Sequence, residues 1–413
     1  MPRNTWASEA HRSFLVKDAL RQFAFFDNSI CPSGGFHTLD MQGRPLGSAV
    51  QELHTTTRLV HSYSLGYLAG RTACDTFIDH GIRYLREHHH DADFGGYVWA
   101  LKGDDMSDSR KLAYGHVFVL LAAASAMAAG HPDATALLSD VEHVLDRHFW
   151  EEEQGLFCDE WNRDWTPFST YRGMNANMHG VEALLAAFEA TGREKFLLRA
   201  GRILEFFMEK MAPNENWRIP EHYSQDWKVD RDYSENPMFR PAGTTPGHSF
   251  ELARLLLHYG ELTGDLEGPL KIARAVVYRA LKDAWDAEQG GIVYTLDFSG
   301  KPLIRDRYWW PVTEAIGVMA AILKIDPHSE DLVWYRVLWE FARHHFIDSD
   351  RGGWFPEIDR YGNPISGQFI GKPDIYHALQ ATLFPLMPKI SGAYTDLRGI
   401  LPNARGDRLK TGL

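Results

Sequence analysis

A glycine turn that returns about every sixty residues restricts the fold of this chain more than any other feature. Gly34-Gly35-Phe36, Gly95-Gly96-Tyr97, Gly155-Leu156-Phe157, Gly290-Gly291-Ile292 and Gly352-Gly353-Trp354 each step from glycine into a bulky side chain. Most follow an acidic residue such as Asp93, Glu153, Glu288 or Asp350. The spacing is 61 from Gly35 to Gly96, 59 from Gly96 to Gly155 and 62 from Gly291 to Gly353. The interval of 136 from Gly155 to Gly291 is twice as long, and Asn214-Glu215-Asn216-Trp217 near its middle reads as a degenerate copy. Six units of roughly 60 residues result, and a fixed period of this size marks a repeat architecture.

Between the turns the pattern is helical. Apolar residues recur at i, i+3, i+4 and i+7 over 112–129, 178–191, 195–211, 248–263, 269–285, 313–325 and 331–346. Strand-like alternation is confined to short stretches such as 291–298. Glycine stops such as Thr191-Gly192-Arg193 and Thr263-Gly264-Asp265 end helices cleanly. Two helices fit each unit, and no Pro/Ser-rich linker separates units. The reading is an all-α fold, one (α/α)6 barrel over residues 1–413, with short hairpin-like turns at one mouth. An open α-solenoid that binds proteins is the alternative. It requires atypical polar capping repeats, whereas the first and last turn signatures are among the best preserved.

Composition excludes some partners. A formal charge of −12 argues against a nucleic-acid ligand. Cys31, Cys74 and Cys158 are odd in number and widely spaced, which fits a reducing cytosol better than a disulfide framework. The opening decapeptide has no apolar export segment. The longest apolar run, around 117–129, is too short to span a membrane, so a soluble cytoplasmic protein is expected. The 20 His, 13 Trp, 16 Tyr and 23 Phe suit a pocket for a polar organic ligand, although most of the aromatics must be core.

Several polar side chains occupy helix positions where a bundle ordinarily has Leu or Ala. Asn175 and His179 share a face at i, i+4; a satisfied N-terminal turn is the plainer account. Pro246-Gly247 opens a helix in which His248 and Glu251 lie at i, i+3, so the carboxylate can orient the imidazole. The same pair could be half of a metal site, but an acid/base histidine is the stronger reading. Asp374 and His377 repeat this arrangement. Trp309-Trp310 precedes Glu314 and offers a platform for the apolar face of a sugar. Arg58, in a helix otherwise facing the core, needs an anionic partner or a ligand oxygen. His88-His89-His90 with Asp91 and Asp93 reads as a solvated turn. Dinucleotide, P-loop, HExxH and GxSxG motifs are lacking, so nucleotide cofactors and the common hydrolases lose support.

Taken together, Thr55-Thr56-Thr57-Arg58, Ala113-Tyr114-Gly115-His116, Asn175-Ala176-Asn177-Met178-His179, Pro246-Gly247-His248-Ser249-Phe250-Glu251, Trp309-Trp310-Pro311 with Glu314, and Lys372-Pro373-Asp374-Ile375-Tyr376-His377 resemble the N-acylglucosamine 2-epimerase superfamily, in particular its aldose–ketose isomerase branch. The resemblance spans nearly the whole chain. It implies an (α/α)6 barrel that interconverts sugars at C1/C2 with no metal or redox cofactor. The substrate is then a small monosaccharide, D-mannose giving D-fructose, with D-lyxose/D-xylulose as a related pair. His248 and His377 would be the catalytic histidines. His377 is assigned as the base carrying a proton between C2 and C1, and His248, oriented by Glu251, as the group handling ring opening and the O1/O2 protons; the roles are exchangeable. Arg58, Asn175 and His179 would donate to the enediolate oxygen, while Tyr114, Trp310, Glu314 and Asp374 would bind and orient substrate. A 2-epimerase outcome on N-acylglucosamine, mannose/glucose or cellobiose stays open. So does sulfoquinovose isomerisation, with Arg58, Arg240 or Lys372 as anion site. A six-hairpin glycoside hydrolase is more remote, because it needs paired carboxylates at the mouth. The oligomeric state is open, a homo-oligomer included.

Overall fold

The computed structural model describes residues 7–47, 50–103, 105–233, 235 and 240–402. Residues 1–6, part of the segment read as lacking an export signal, lie outside them. Among the described residues, twelve helices of eight or more residues carry the fold. They are α1 (Glu9–Phe26), α2 (Leu53–Leu68), α3 (Asp75–Tyr84), α4 (Ala113–Ala128), α5 (Ala134–Val144), α6 (Met174–Thr191), α7 (Glu194–Leu204), α8 (Pro246–Thr263), α9 (Glu267–Ala284), α10 (Trp309–Ile325), α11 (Ser329–His345) and α12 (Tyr376–Leu383). The chain is mostly helical with strands of two to four residues, and no described sheet closes on itself.

The even-numbered helices are buried nearly all round, as expected of helices with no polar stripe. Each packs against the next in the series, and α12 also packs back on α2. The odd-numbered helices have one apolar face. In α7 it is Phe196, Ala200, Ile203 and Leu204, which lie against α6, while Leu198 on the other side is exposed. Helices α3, α5, α9 and α11 likewise back α2, α4, α8 and α10. The partner of α12 comes from the other end of the sequence: α1 packs on it, and Gln22 Nε2 donates to Thr382 Oγ1 at 3.0 Å. The stretch 195–211, read as one helix, is α7 followed by a π-type turn over 205–211. Similar widened turns end α3 and α5.

The glycine signatures behave as the spacing suggests. Gly95 and Gly96 have φ of 74° and 72°, a region open to glycine and disfavoured for other residues. The degenerate copy takes the same path without glycine, Asn216 and Trp217 having φ of 54° and 65°. After each turn the chain pairs with the segment entering an even-numbered helix. Leu39 bridges Lys372, and 100–101 pair with 51–52, 160–161 with 111–112, and 222–223 with 172–173. Leu296 bridges Thr244, and 357–358 pair with 307–308. These six pairings set the N-termini of the six buried helices on one side of the molecule.

Polar side chains in the entering segments reach back into the turns. Gln51 accepts from Phe36 N, Lys111 binds Asp91 and Gly95 O, and Arg307 donates to Gly290 O. Lys372 donates to Asp348 at 2.8 Å and Gly352 O at 2.6 Å. Lys372 is buried there and is not an anion site at the mouth, which corrects that expectation. The His88–Asp93 turn also differs from its reading as solvated. His89 and Asp91 are fully buried, His89 Nδ1 bonding Val98 O and Asp91 held by Lys111 and Arg163.

Candidate active site

The N-terminal turns of the buried helices enclose a cavity of about 700 Å³. Its lining includes Arg58, Tyr114, Asn175, His179, His248, Glu251, Trp310 and His377, eight of the ten side chains singled out in the sequence. They come from α2, α4, α6, α8, α10 and α12, one repeat each or two. Glu314 and Asp374 are brought to the same region but do not line the cavity. Each instead holds a side chain that lines it, Glu314 bonding His377 and Asp374 pairing with Arg58.

Asp374 pairs with Arg58 at 3.2 Å and accepts from Tyr376 N at 2.9 Å. Arg58 Nη2 donates to the Tyr114 hydroxyl at 2.9 Å, and its guanidinium lies over the rings of Phe118 and Tyr376 at 4.7 and 4.8 Å. A buried arginine is thereby fixed in one position, which is what a preorganised donor requires.

The two histidines are built alike. His248 Nδ1 lies 2.9 and 3.0 Å from the two carboxylate oxygens of Glu221, and His377 Nδ1 lies 2.8 Å from Glu314 Oε1. A carboxylate acceptor assigns the hydrogen to Nδ1 and leaves Nε2 as the free lone pair of each ring. Trp310 stands between them, its ring 5.1 Å from His248 and 5.8 Å from His377, tilted 34° and 35°. Gly247 makes that approach possible, since a Cβ there would come within 2.3 Å of the Trp310 ring. The sequence reading gave His248 to Glu251 as orienting partner. Glu221 holds that place instead, and also accepts from Thr245 N.

Glu251 is 1 % exposed, and neither of its carboxylate oxygens has a hydrogen-bond partner. Burial, reinforced by the Glu314 and Glu182 carboxylates, pushes its pKa well above the usual range and favours the neutral carboxyl. His179 Nδ1 is likewise without a bonded partner, 3.5 Å from Glu251 and 3.6 Å from Glu182. Burial lowers the His179 pKa to about 4, which keeps the ring neutral. Unsatisfied buried groups facing a cavity mark where ligand polar atoms go.

Glu221, Glu182 and Arg254 were not singled out in the sequence. The repeat register could have found Glu221. Leu53, Ala113 and Met174, the first residues of α2, α4 and α6, donate their N–H to Trp99, Asp159 and Glu221 respectively, and all three acceptor residues face the cavity. They stand 60 and 62 positions apart. Glu182 stands three residues after His179, the spacing that singled out His248 and Glu251, and could have been found by it, whereas Arg254 carries no local signal.

Two donor groups have the spacing of a metal site, His179–Glu182–Glu251 and Glu251–Glu314–His377, each within 4.8 Å. Arg254 already supplies a cation among them, 3.2 Å from Glu314, 3.9 Å from Glu182 and 4.0 Å from Glu251. Its guanidinium would compete with a divalent ion for the same carboxylate oxygens.

Six helical repeats whose N-termini gather paired histidines, buried carboxylates and an indole platform define an isomerase or epimerase. The chain belongs to the N-acylglucosamine 2-epimerase (GlcNAc 2-epimerase) family, whose pattern matches residues 34–381. It is 41% identical to the D-mannose isomerase of Thermobifida fusca over 94% of this chain and 98% of that protein. It is 38% identical to the D-mannose isomerase of Pseudomonas cannabina pv. alisalensis, over 95% and 97%. A crystal structure of D-mannose isomerase superposes with a TM-score of 0.87 at 32% identity, covering 92% of this chain and 98% of that one.

Proposed function

We propose that this protein interconverts D-mannose and D-fructose, in a single catalytic domain folded as an (α/α)6 barrel. The packing of α12 on both α10 and α2, and the sixth strand pairing of Lys372 with Leu39, support a closed ring. The observation that carries the chemical reading is the pair of histidines either side of Trp310, each with a carboxylate on Nδ1.

The C2 proton of the open-chain aldose is acidified by the adjacent aldehyde, and a base near neutral pKa can remove it and give it back. His377 Nε2 takes the C2 proton, and the electron pair forms the C1–C2 double bond as O1 gains charge. O1 is protonated, giving the cis-enediol. O2 then loses its proton to become the ketone oxygen, and His377 returns its proton to C1. His248 Nε2 opens the sugar ring and moves the O1/O2 protons, and the neutral carboxyl of Glu251 can donate to the same oxygens. Arg58, Asn175 and His179 donate to the charged enediolate oxygen, a contribution of about 2.7–4 kcal/mol per well-aimed donor. Trp310 supports the apolar face of the sugar. No step requires a metal or redox cofactor.

Arg58 is engaged by Asp374, Arg240 by Glu160 and Lys372 by Asp348, so the three cations considered for a sulfonate are already paired, favouring a neutral sugar. Three free, buried cysteines suit a reducing cytoplasm. No helix among the described residues is long and apolar enough to cross a membrane. An NMR time course with D-mannose in deuterated water tests the function. Fructose as first product, with deuterium at C1, supports isomerisation; glucose as first product moves the assignment to a 2-epimerase.

A further inference from the structure

Beneath the cavity floor, Arg254 of α8 is surrounded by carboxylates. Its Nε donates to Glu314 Oε2 at 3.2 Å, and its Nη2 lies 3.9 Å from Glu182, 4.0 Å from Glu251 and 3.5 Å from Gln380 Oε1. It is buried and does not line the cavity. The site is shaped for it. Gly317 of α10 leaves room for its stem, since a Cβ there would lie 3.1 Å from Arg254 Cδ, and the Phe384 ring lies 5.3 Å from the guanidinium.

One guanidinium cannot neutralise three carboxylates, so a proton is retained by one of them. Glu251 keeps it. Burial works against ionisation of Glu314 and Glu182 as well, but the charge of Arg254, the bond from His377 to Glu314 and the nearness of His179 to Glu182 hold both below the ordinary carboxylate range. The charged and titratable groups facing the Glu314–His377 pair are Arg254 and Glu251 from α8, Glu182 and His179 from α6, Arg58 from α2, and Tyr376 next to His377.

We infer that Arg254 is a positioning residue for the isomerisation: by keeping Glu314 ionised it holds the hydrogen on His377 Nδ1 and leaves Nε2 free to take the C2 proton. The inference rests on the isomerase reading of the site. Without Arg254 the His377–Glu314 pair sits in a more negative environment and holds its protons to higher pH, so less of the base is free at neutrality.

The test is the pH profile of kcat/KM on D-mannose for the wild type, Arg254→Gln, Arg254→Lys and Glu182→Gln. In Arg254→Gln the acid limb moves up by about one pH unit, and kcat at neutral pH falls by up to about tenfold while KM changes little. Arg254→Lys leaves the limb near its wild-type position. Glu182→Gln, which keeps the guanidinium and removes one negative charge, moves the limb down and remains informative if Arg254→Gln fails to fold. Equal loss at every pH with a stationary limb in Arg254→Gln, or an unmoved limb in Glu182→Gln, overturns the inference. If the wild type does not convert mannose, the isomerase reading fails. The role of Arg254 is then still read from the ¹⁵N shifts of His377 in ligand-free protein: a tautomer shift in Arg254→Gln supports it and an unchanged ring refutes it.

Discussion

His248 Nδ1 lies 2.9 Å from a carboxylate oxygen of Glu221, a residue 27 positions earlier and in a different repeat. A histidine of α8 is thus aimed by the hairpin of the preceding unit. Replacing that ionised acceptor removes a charged hydrogen bond of about 1.5–3 kcal/mol. We expect Glu221→Gln to lower kcat by roughly ten- to 150-fold with an unchanged melting temperature. Steady-state kinetics on D-mannose check this, and activity within a factor of two of wild type removes Glu221 from the mechanism.

His248→Ala and His377→Ala should each reduce turnover by about 10²–10⁴-fold, the usual range for a lost general acid or base. The helical circular dichroism should remain, because both side chains sit at the cavity wall rather than in the apolar core. Normal turnover in either variant refutes the assignment of that histidine.

Prolonged dialysis against EDTA should leave activity intact, since the proposed proton transfers between C2 and C1 use side chains alone. Inactivation reversed only by adding back a metal would return His179, Glu182, Glu251, Glu314 and His377 to the status of ligands.

Gly247→Ala should be disproportionately damaging for so small a change. The added methyl meets the Trp310 ring at 2.3 Å, so the indole must shift away from the histidines it separates. Overpacking of this kind costs about 1–3 kcal/mol. A raised KM with a modest loss of melting temperature is the expected result, and unchanged kinetics would show that the position of Trp310 is unimportant.

Asp159 titrates within the working pH range. Full burial raises its pKa to about 7, opposed in part by Arg240 and the Gly173 N–H. A carboxyl with a raised folded-state pKa is unpenalised below its unfolded value, near 3.8, and destabilises the fold increasingly as pH rises towards 7. Asp159→Asn should therefore gain melting temperature relative to the wild type between about pH 4 and 7, the gain levelling off above that, with a limit on the order of 4 kcal/mol. Calorimetry across this window measures it, and a pH-independent difference contradicts the shift.

Most of the helices and the turn geometry were legible because each depends on local pattern, whereas the pairing of α1 with α12 joins opposite ends of the sequence. Glycine at left-handed φ and a 3.6-residue apolar period write themselves into a few neighbouring residues. Eight of the ten side chains singled out line the cavity for a related reason: a polar residue in the first two turns of an otherwise apolar helix has few other uses. The partners of those side chains were not legible. His248 is bonded to Glu221 rather than to Glu251 in its own helix, because the i+3 position of a buried helix aims deeper into the interior than the rim where His248 lies. Arg254 looked like an ordinary helix residue, since only the convergence of three repeats places Glu182, Glu251 and Glu314 around it.

The pairing of α1 with α12 ties catalysis to the order in which the chain is made. Helix α1 is translated long before α12, the surface that covers its apolar side, and that later helix carries His377 with Asp374 just ahead of it. A nascent or truncated chain lacking α12 leaves that side of α1 uncovered and lacks the histidine proposed as the C2 base. On that proposed role, isomerase activity reports the docking of α12, and a simple turnover assay during synthesis or refolding would time that event without any spectroscopic label.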